Sequence, residues 1–277
     1  MTVLTFTIIM FFGAYSAGFV GSLTGLGGGV IIIPLLTVLL GVDIHFAIGT
    51  ALVSVIATSS GSAAAYVKEG ITNMRLGMFL EIATTAGAVV GALLASVAPT
   101  HFIAILFGCT LIFSAINSLR KKEEHNVKIS SNLATILKLP NSYPTSVGII
   151  PYGTKNVIGG FSMMGLAGIL SGLLGIGSGA FKVIAMDNIM KIPFKVSTTT
   201  SNFMMGVTAT ASAVIYLQKG YIEPGICMPV VIGVLLGAMT GAKILVKANP
   251  KKLRMFFAVI IIGLALNMIY NGIVGNI

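Results

Sequence analysis

No Lys, Arg, Asp or Glu occurs anywhere in residues 1–42, or in residues 82–119. Stretches so long and so uncharged cannot form a water-facing surface. About 20 apolar residues cross a bilayer as a helix, so each stretch holds more than one membrane element. Over the whole chain charged residues are 9% of the total, where roughly 25% is ordinary for a soluble domain. Lipid is therefore the solvent for most of this chain. Backbone polar groups in hydrocarbon must be satisfied internally, which leaves helices or closed barrels. The apolar runs are unbroken rather than alternating, so the expectation is an all-α integral membrane protein.

The net charge of +10 does not point to nucleic acid. The basic residues occupy short connections between apolar runs, with no aromatic interleaving and no basic domain. They are the positive-inside signature of a membrane protein instead. Cys109 and Cys227 lie inside apolar runs without metal or redox spacing and read as small hydrophobes. No cofactor and no metal is expected.

Shifting the chain by 150 residues lays 18–118 over 168–268 without a gap. Gly25, Gly27 and Gly29 fall on Gly175, Gly177 and Gly179; Thr50, Thr58, Ser62, Tyr66 and Gly70 fall on Thr200, Thr208, Ser212, Tyr216 and Gly220; Gly87 and Gly91 fall on Gly237 and Gly241. Hydropathy alone does not match glycine for glycine, so the chain is a duplication. Residues 1–119 form a first membrane repeat, 120–155 a polar cytoplasmic linker containing Pro140, Pro144 and Pro151, and 156–277 a second repeat. Each repeat reads as a glycine-broken helical hairpin (about 3–20 with 28–40, then 156–173 with 178–190). Three transmembrane helices follow in each, near 46–67, 75–97 and 101–119, and near 196–217, 224–246 and 252–274.

Loop charge sets the orientation. If each broken hairpin makes an even number of crossings, the repeats are inverted. Fourteen of the 17 basic residues then lie on one side, with only Lys219 opposite and Lys182 and Lys243 inside apolar segments. A parallel arrangement splits them 9 against 6, so the expectation is two inverted repeats. Such repeats bind substrate near the midplane where they meet.

The glycine clusters Gly25-Leu26-Gly27-Gly28-Gly29 and Gly175-Ile176-Gly177-Ser178-Gly179 each open a short helical segment. Free N–H groups and a positive dipole end at each would suit an anion; the alternative is that the glycines let helices pack closely. Lys182 stands in an apolar stretch three residues beyond Gly179, and a buried cation in a membrane is usually functional. It is expected to neutralise the anion, the alternatives being snorkelling or a structural pair with Asp187. Thr50, Thr200 and Asn202 are candidate lining donors, or hydroxyls bonded back to their own helices. Glu81 is a candidate proton-coupling group, or half of a structural pair. The expected substrate-binding set is Gly25, Gly27, Gly28, Gly29, Thr50, Gly175, Gly177, Ser178, Gly179, Lys182, Thr200 and Asn202.

The chain resembles the TauE/SafE sulfite exporter family over nearly its whole length. The likeness rests on Gly18 to Gly29 with Pro34 and its second copy from Gly168 to Gly179. It extends to His45-Phe46-Ala47-Ile48-Gly49-Thr50-Ala51 with its counterpart Lys195 to Ser201, and to the Tyr-x-x-x-Gly turns at Tyr66–Gly70 and Tyr216–Gly220. The second copy departs in having Ser178 for a glycine, Ile184 in place of Pro34, and Thr199 where a glycine is usual. The resemblance implies a secondary transporter in the cytoplasmic membrane, carrying sulfite or an organosulfonate such as sulfoacetate, with the lipid bilayer and a small anion as partners. The alternatives within transport are an anion channel or a carrier of another small organic anion. No Ser/Lys or Ser/His pair, acidic dyad or H-E-x-x-H motif stands on any helix, which argues against an enzyme.

The charge distribution generates a topology test. Single cysteines at Ser130 and Asn249 should be shielded from an impermeant thiol reagent on intact cells, and those at Thr100 and Gln218 labelled. Labelling of all four from one side would sink the inverted arrangement.

Overall fold

The computed structural model describes residues 3–24, 27–68, 70–119, 130–145, 148–245 and 250–275. Gly25, Asn249 and the first ten residues of the 120–155 segment lie outside them. The first half runs α1 (Val3–Thr24), α2 (Gly29–Pro34), α3 (Ile44–Lys68), α4 (Met74–Ala95) and α5 (Thr100–Leu119). A connecting segment carries α6 (Asn132–Ile136) and strands β1 (Asn141–Thr145) and β2 (Gly148–Tyr152). The second half runs α7 (Val157–Leu174), α8 (Gly179–Ile184), α9 (Phe194–Gln218), α10 (Pro224–Leu245) and α11 (Pro250–Val274). The bounds of α2, α3 and α4 reappear 150 residues on as those of α8, α9 and α10. Each short helix widens into one π-helical stretch, Leu35–Leu39 and Ala185–Ile189. The widening follows Pro34 in the first half but Ile184 in the second, so the proline is not its cause.

Six helices among the described residues are long and apolar enough to span a membrane. Their outer faces carry exposed Leu4, Phe12, Met78, Ile82, Leu166 and Leu236, as lipid contact requires. Although 25 residues long, α9 falls outside that set. Its first half, from Ser197 to Asn202, is a polar run whose members are almost all buried. Protein, not lipid, surrounds those hydroxyls.

The halves hold each other by exchanging helices. In the α1–α10 pair, β-carbons added at Gly233, Gly237 and Gly241 would sit 2.5, 2.0 and 2.6 Å from the carbonyl oxygens of Phe11, Tyr15 and Phe19. The residue numbers climb together, so the two helices run parallel with their backbones touching. The equivalent α4–α7 pair does the same: β-carbons at Gly168 and Gly172 would lie 2.2 and 2.0 Å from the Thr84 and Ala88 oxygens. Small residues that admit such approach are the means by which helices associate where the hydrophobic effect gives no drive.

The central helices α3 and α9 run in opposite directions. At the start of α3, His45 stacks on Tyr221, just past the end of α9, with ring centroids 4.9 Å apart. At the other end Asn73, just past α3, donates its backbone N–H to Thr200 Oγ1 near the start of α9 (3.1 Å).

The connecting segment is more structured than a polar linker. Ser131 caps α6, and β1 pairs antiparallel with β2. In a two-stranded ribbon both strands are edges, where Pro144 and Pro151 are tolerated. The segment is tied to the start of α4 through Asn73, whose amide donates to the Leu139 carbonyl (3.0 Å) and the Tyr152 hydroxyl (2.9 Å). Burial pushes that hydroxyl up to about 12, so it stays a neutral anchor at working pH.

If the backbone contact between halves holds the fold, Gly237→Ala should destabilise the protein by about 1–3 kcal/mol through overpacking. Gly263→Ala, where an added β-carbon meets nothing within 4 Å, should be neutral or mildly stabilising. Thermal unfolding of both variants in detergent checks this; equal midpoints would contradict it.

Candidate functional site

The two glycine loops meet. Gly27 and Gly177 have φ of +79° and +68°, a left-handed conformation that glycine adopts without steric cost. A β-carbon at Gly29 would come within 2.9 Å of the Gly175 carbonyl oxygen. Both loops face the same two side chains: a β-carbon at Gly27 would lie 3.5 Å from Val55 and from Met205, and one at Gly177 2.9 Å from Val55 and 3.4 Å from Met205. Val55 and Met205 are themselves 150 residues apart, so the pseudo-symmetry of the halves passes between them. The meeting point is apolar and packed. Gly28, Gly175, Ser178 and Gly179 are buried around it.

The charged group lies to one side, in the second half-site. The Lys182 side chain has no solvent exposure. Its ammonium lies 3.7 Å from Glu81 Oε2 on α4 and donates to Thr208 Oγ1 on α9. The Thr208 hydroxyl donates in turn to Glu81 Oε1, which also accepts from Thr85 Oγ1 at 3.2 Å. Glu81 Oε2 has no hydrogen-bond partner. Two charges that composition alone leaves unrelated are thus a single buried pair bridged by a threonine. The repeat-related positions that make up the other half-site hold Ile32, Val231 and Thr58. Only the threonine is common to both, and the pair is an addition to one half-site.

Other polar atoms nearby are unused. Ser178 Oγ, at the turn into α8, and Asn202 Nδ2 are buried without a hydrogen-bond partner. Ser178 shares a cavity of about 10 Å³ with the likewise unpartnered Ser114 hydroxyl, between Val30, Leu111 and Phe181. Ser201 donates to the Gly179 carbonyl at 3.2 Å, pinning the first turn of α8 to α9.

The remaining sequence candidates sit elsewhere. Thr50 Oγ1 is 3.4 Å from Cys227 Sγ, between α3 and α10. Thr200 accepts from Asn73 between α9 and α4. Both are helix-junction contacts, not part of the loops' meeting point. Thr208, Thr85 and Ser59, whose hydroxyl donates to the Asn202 carbonyl, went unselected. For Thr208 a signal existed in the sequence: it stands one repeat length from Thr58. For the ion pair it was the coincidence that Lys182 and Glu81 both replace apolar residues of the other half.

The sequence model of the family described as Sulfite exporter TauE/SafE matches residues 10–268. The chain is 28% identical to the probable membrane transporter protein YunE of Bacillus subtilis (strain 168), over 98% of this chain and 99% of that one. It is 29% identical to the probable membrane transporter protein YdhB of the same organism, over 85% and 87%. With the probable membrane transporter protein MJ0441 of Methanocaldococcus jannaschii it shares 27% over 89% of each. No solved structure matches significantly.

Removing one member of a buried pair strands the other's charge and typically costs about 3–5 kcal/mol, whereas replacing both by apolar residues is often neutral. Lys182→Ile should therefore lower the unfolding midpoint, and adding Glu81→Val, which completes the other half-site's combination, should recover most of the loss. Additive destabilisation by the two changes would show that they do not interact.

Proposed function

The chain belongs to the sulfite exporter TauE/SafE family and is a multi-pass membrane transporter, not an enzyme; from this premise we propose that it is a secondary transporter of a small sulfur-containing anion, sulfite or an organosulfonate such as sulfoacetate, across the cytoplasmic membrane. The observation that carries the reading is Lys182, a wholly buried cation one turn inside a broken membrane helix, beside a glycine loop with unsatisfied polar groups. A buried ammonium at the interface of two repeats is where a transporter of this design would hold an anion. The anion would bind between the two glycine loops, on the side of the second, with Ser178 and Asn202 as spare donors. Thr50 and Thr200 would act from behind, fixing α3 and α9 against α10 and α4.

In this reading the halves are inverted across the membrane, which the opposed courses of α3 and α9 support. The end carrying the connecting segment is the basic one, with Arg75, Lys138, Lys155, Lys191 and Lys195. By the positive-inside rule it faces the cytoplasm. The opposite end holds Asp43, Lys219 and Glu223. Alternation would move the paired helices α1–α10 and α4–α7 around the α3–α9 centre.

Reconstituted in liposomes, the protein should show counterflow: labelled sulfite or sulfoacetate enters faster when the same anion is trapped on the far side. Rates indifferent to the trapped anion would instead mark an anion channel. Absence of movement for both anions, with exchange of an unrelated carboxylate, would assign another cargo.

A further inference from the structure

A cation that receives an anionic cargo is here already occupied by the protein's own carboxylate. Resting on the reading that the cargo is a small anion, we propose that Glu81 is a resident counter-anion which the cargo displaces, so that Glu81 takes up one proton for each monovalent anion bound and the two cross together.

The geometry of Glu81 suits the exchange. Oε1 holds the hydroxyls of Thr208 and Thr85, while Oε2 faces the Lys182 ammonium at 3.7 Å and has no hydrogen bond. A proton arriving at Oε2 breaks no hydrogen bond and ends only the ionic contact. The resulting carboxylic acid stays anchored through Oε1, and the ammonium is left for the cargo.

Charge balance makes the two events obligatory partners. The resting pair is neutral. An anion entering without a proton would leave one net negative charge in a buried site, and a proton without an anion would leave one positive charge. Either costs several kcal/mol in such a setting. Anion and proton together leave an ammonium, a neutral acid and an anion, neutral again. The only covalent change is one O–H bond, its proton drawn from solvent.

The titratable groups on the described elements around Glu81 are few. Of the elements packed on α4, α7 has no titratable side chain, α9 has Lys195 and Tyr216 near its two ends, and α8 with its π-helical stretch has Lys182 and Asp187. The connecting segment brings Lys138, Tyr143 and Tyr152 to the first turn of α4, where Arg75 also stands. Among the described residues the ion partner of Glu81 is Lys182. The coupling is therefore of like direction. An inward proton gradient drives uptake, and an anion leaving down its own gradient takes a proton out.

The test uses proteoliposomes with isethionate, a monovalent sulfonate of fixed charge, and with sulfite. In the wild type, half-saturation for isethionate should weaken on the order of tenfold per pH unit once Glu81 is mostly ionised, because only the protonated fraction is competent. Each anion entering should acidify the lumen. Glu81→Gln, an uncharged likeness of the acid, should show a half-saturation that does not change with pH, and an inward proton gradient should no longer accumulate the anion. Lys182→Gln should lose saturable exchange. Should Glu81→Gln fold poorly, Glu81→Asp serves, and it should keep the pH dependence with a displaced midpoint. A wild-type pH profile or gradient-driven accumulation surviving in Glu81→Gln would overturn the proposal alone, as would a flat profile in Glu81→Asp. A wild type that exchanges neither anion would overturn the sulfur-anion reading, and the proposal with it.

Discussion

Backbone touching backbone at glycine is the contact on which the remainder of this molecule hangs. In lipid the hydrophobic effect does not press helices together, so close van der Waals approach has to. Each half gives up its first helix to the other half's fourth element: α1 lies on α10 and α7 lies on α4, with carbonyl oxygens occupying the space where side chains would be. This reciprocal exchange fixes α3 against α9 at the centre. It also brings the two broken hairpins together, so that Gly29 approaches Gly175 and both loops close over Val55 and Met205.

Within that near-symmetric frame the asymmetry is small and specific. Ile32 and Val231 of one half-site are replaced by Lys182 and Glu81 in the other, around a threonine that both keep. A pair of opposite charges is the one form in which ionised groups persist at this depth without stranding a charge. It is also a form that a proton can open. Fold and chemistry are linked here, because Lys182 sits on α8, Glu81 on α4 and Thr208 on α9, and only the packing of the two halves makes these neighbours.

Much of this was legible in the residues. The glycine-for-glycine repeat and the uncharged runs implied the broken hairpins and the helices after them, and the bounds at 29–34 and 179–184 fall where those loops end. That the two glycine loops meet each other is a fact of the packing, not of either cluster's own sequence. Thr50 and Thr200 were less legible, because a hydroxyl on a polar face reads the same whether it lines a cavity or bonds across a helix junction. The pairing of Lys182 with Glu81 spans about a hundred residues of sequence and follows from tertiary packing that hydropathy does not encode. The hairpin at 141–152 was hidden because its prolines signal a linker, yet edge strands accept them.

The claim at the centre is that anion binding and protonation of Glu81 are one event. An infrared difference spectrum of the purified protein, with and without sulfite at a pH where Glu81 is ionised, reads it directly. Binding should convert one carboxylate band into the carbonyl band of a protonated acid, and Glu81→Gln should abolish that change. Saturable sulfite binding with no carboxyl signal, or with the same signal in Glu81→Gln, would contradict the account.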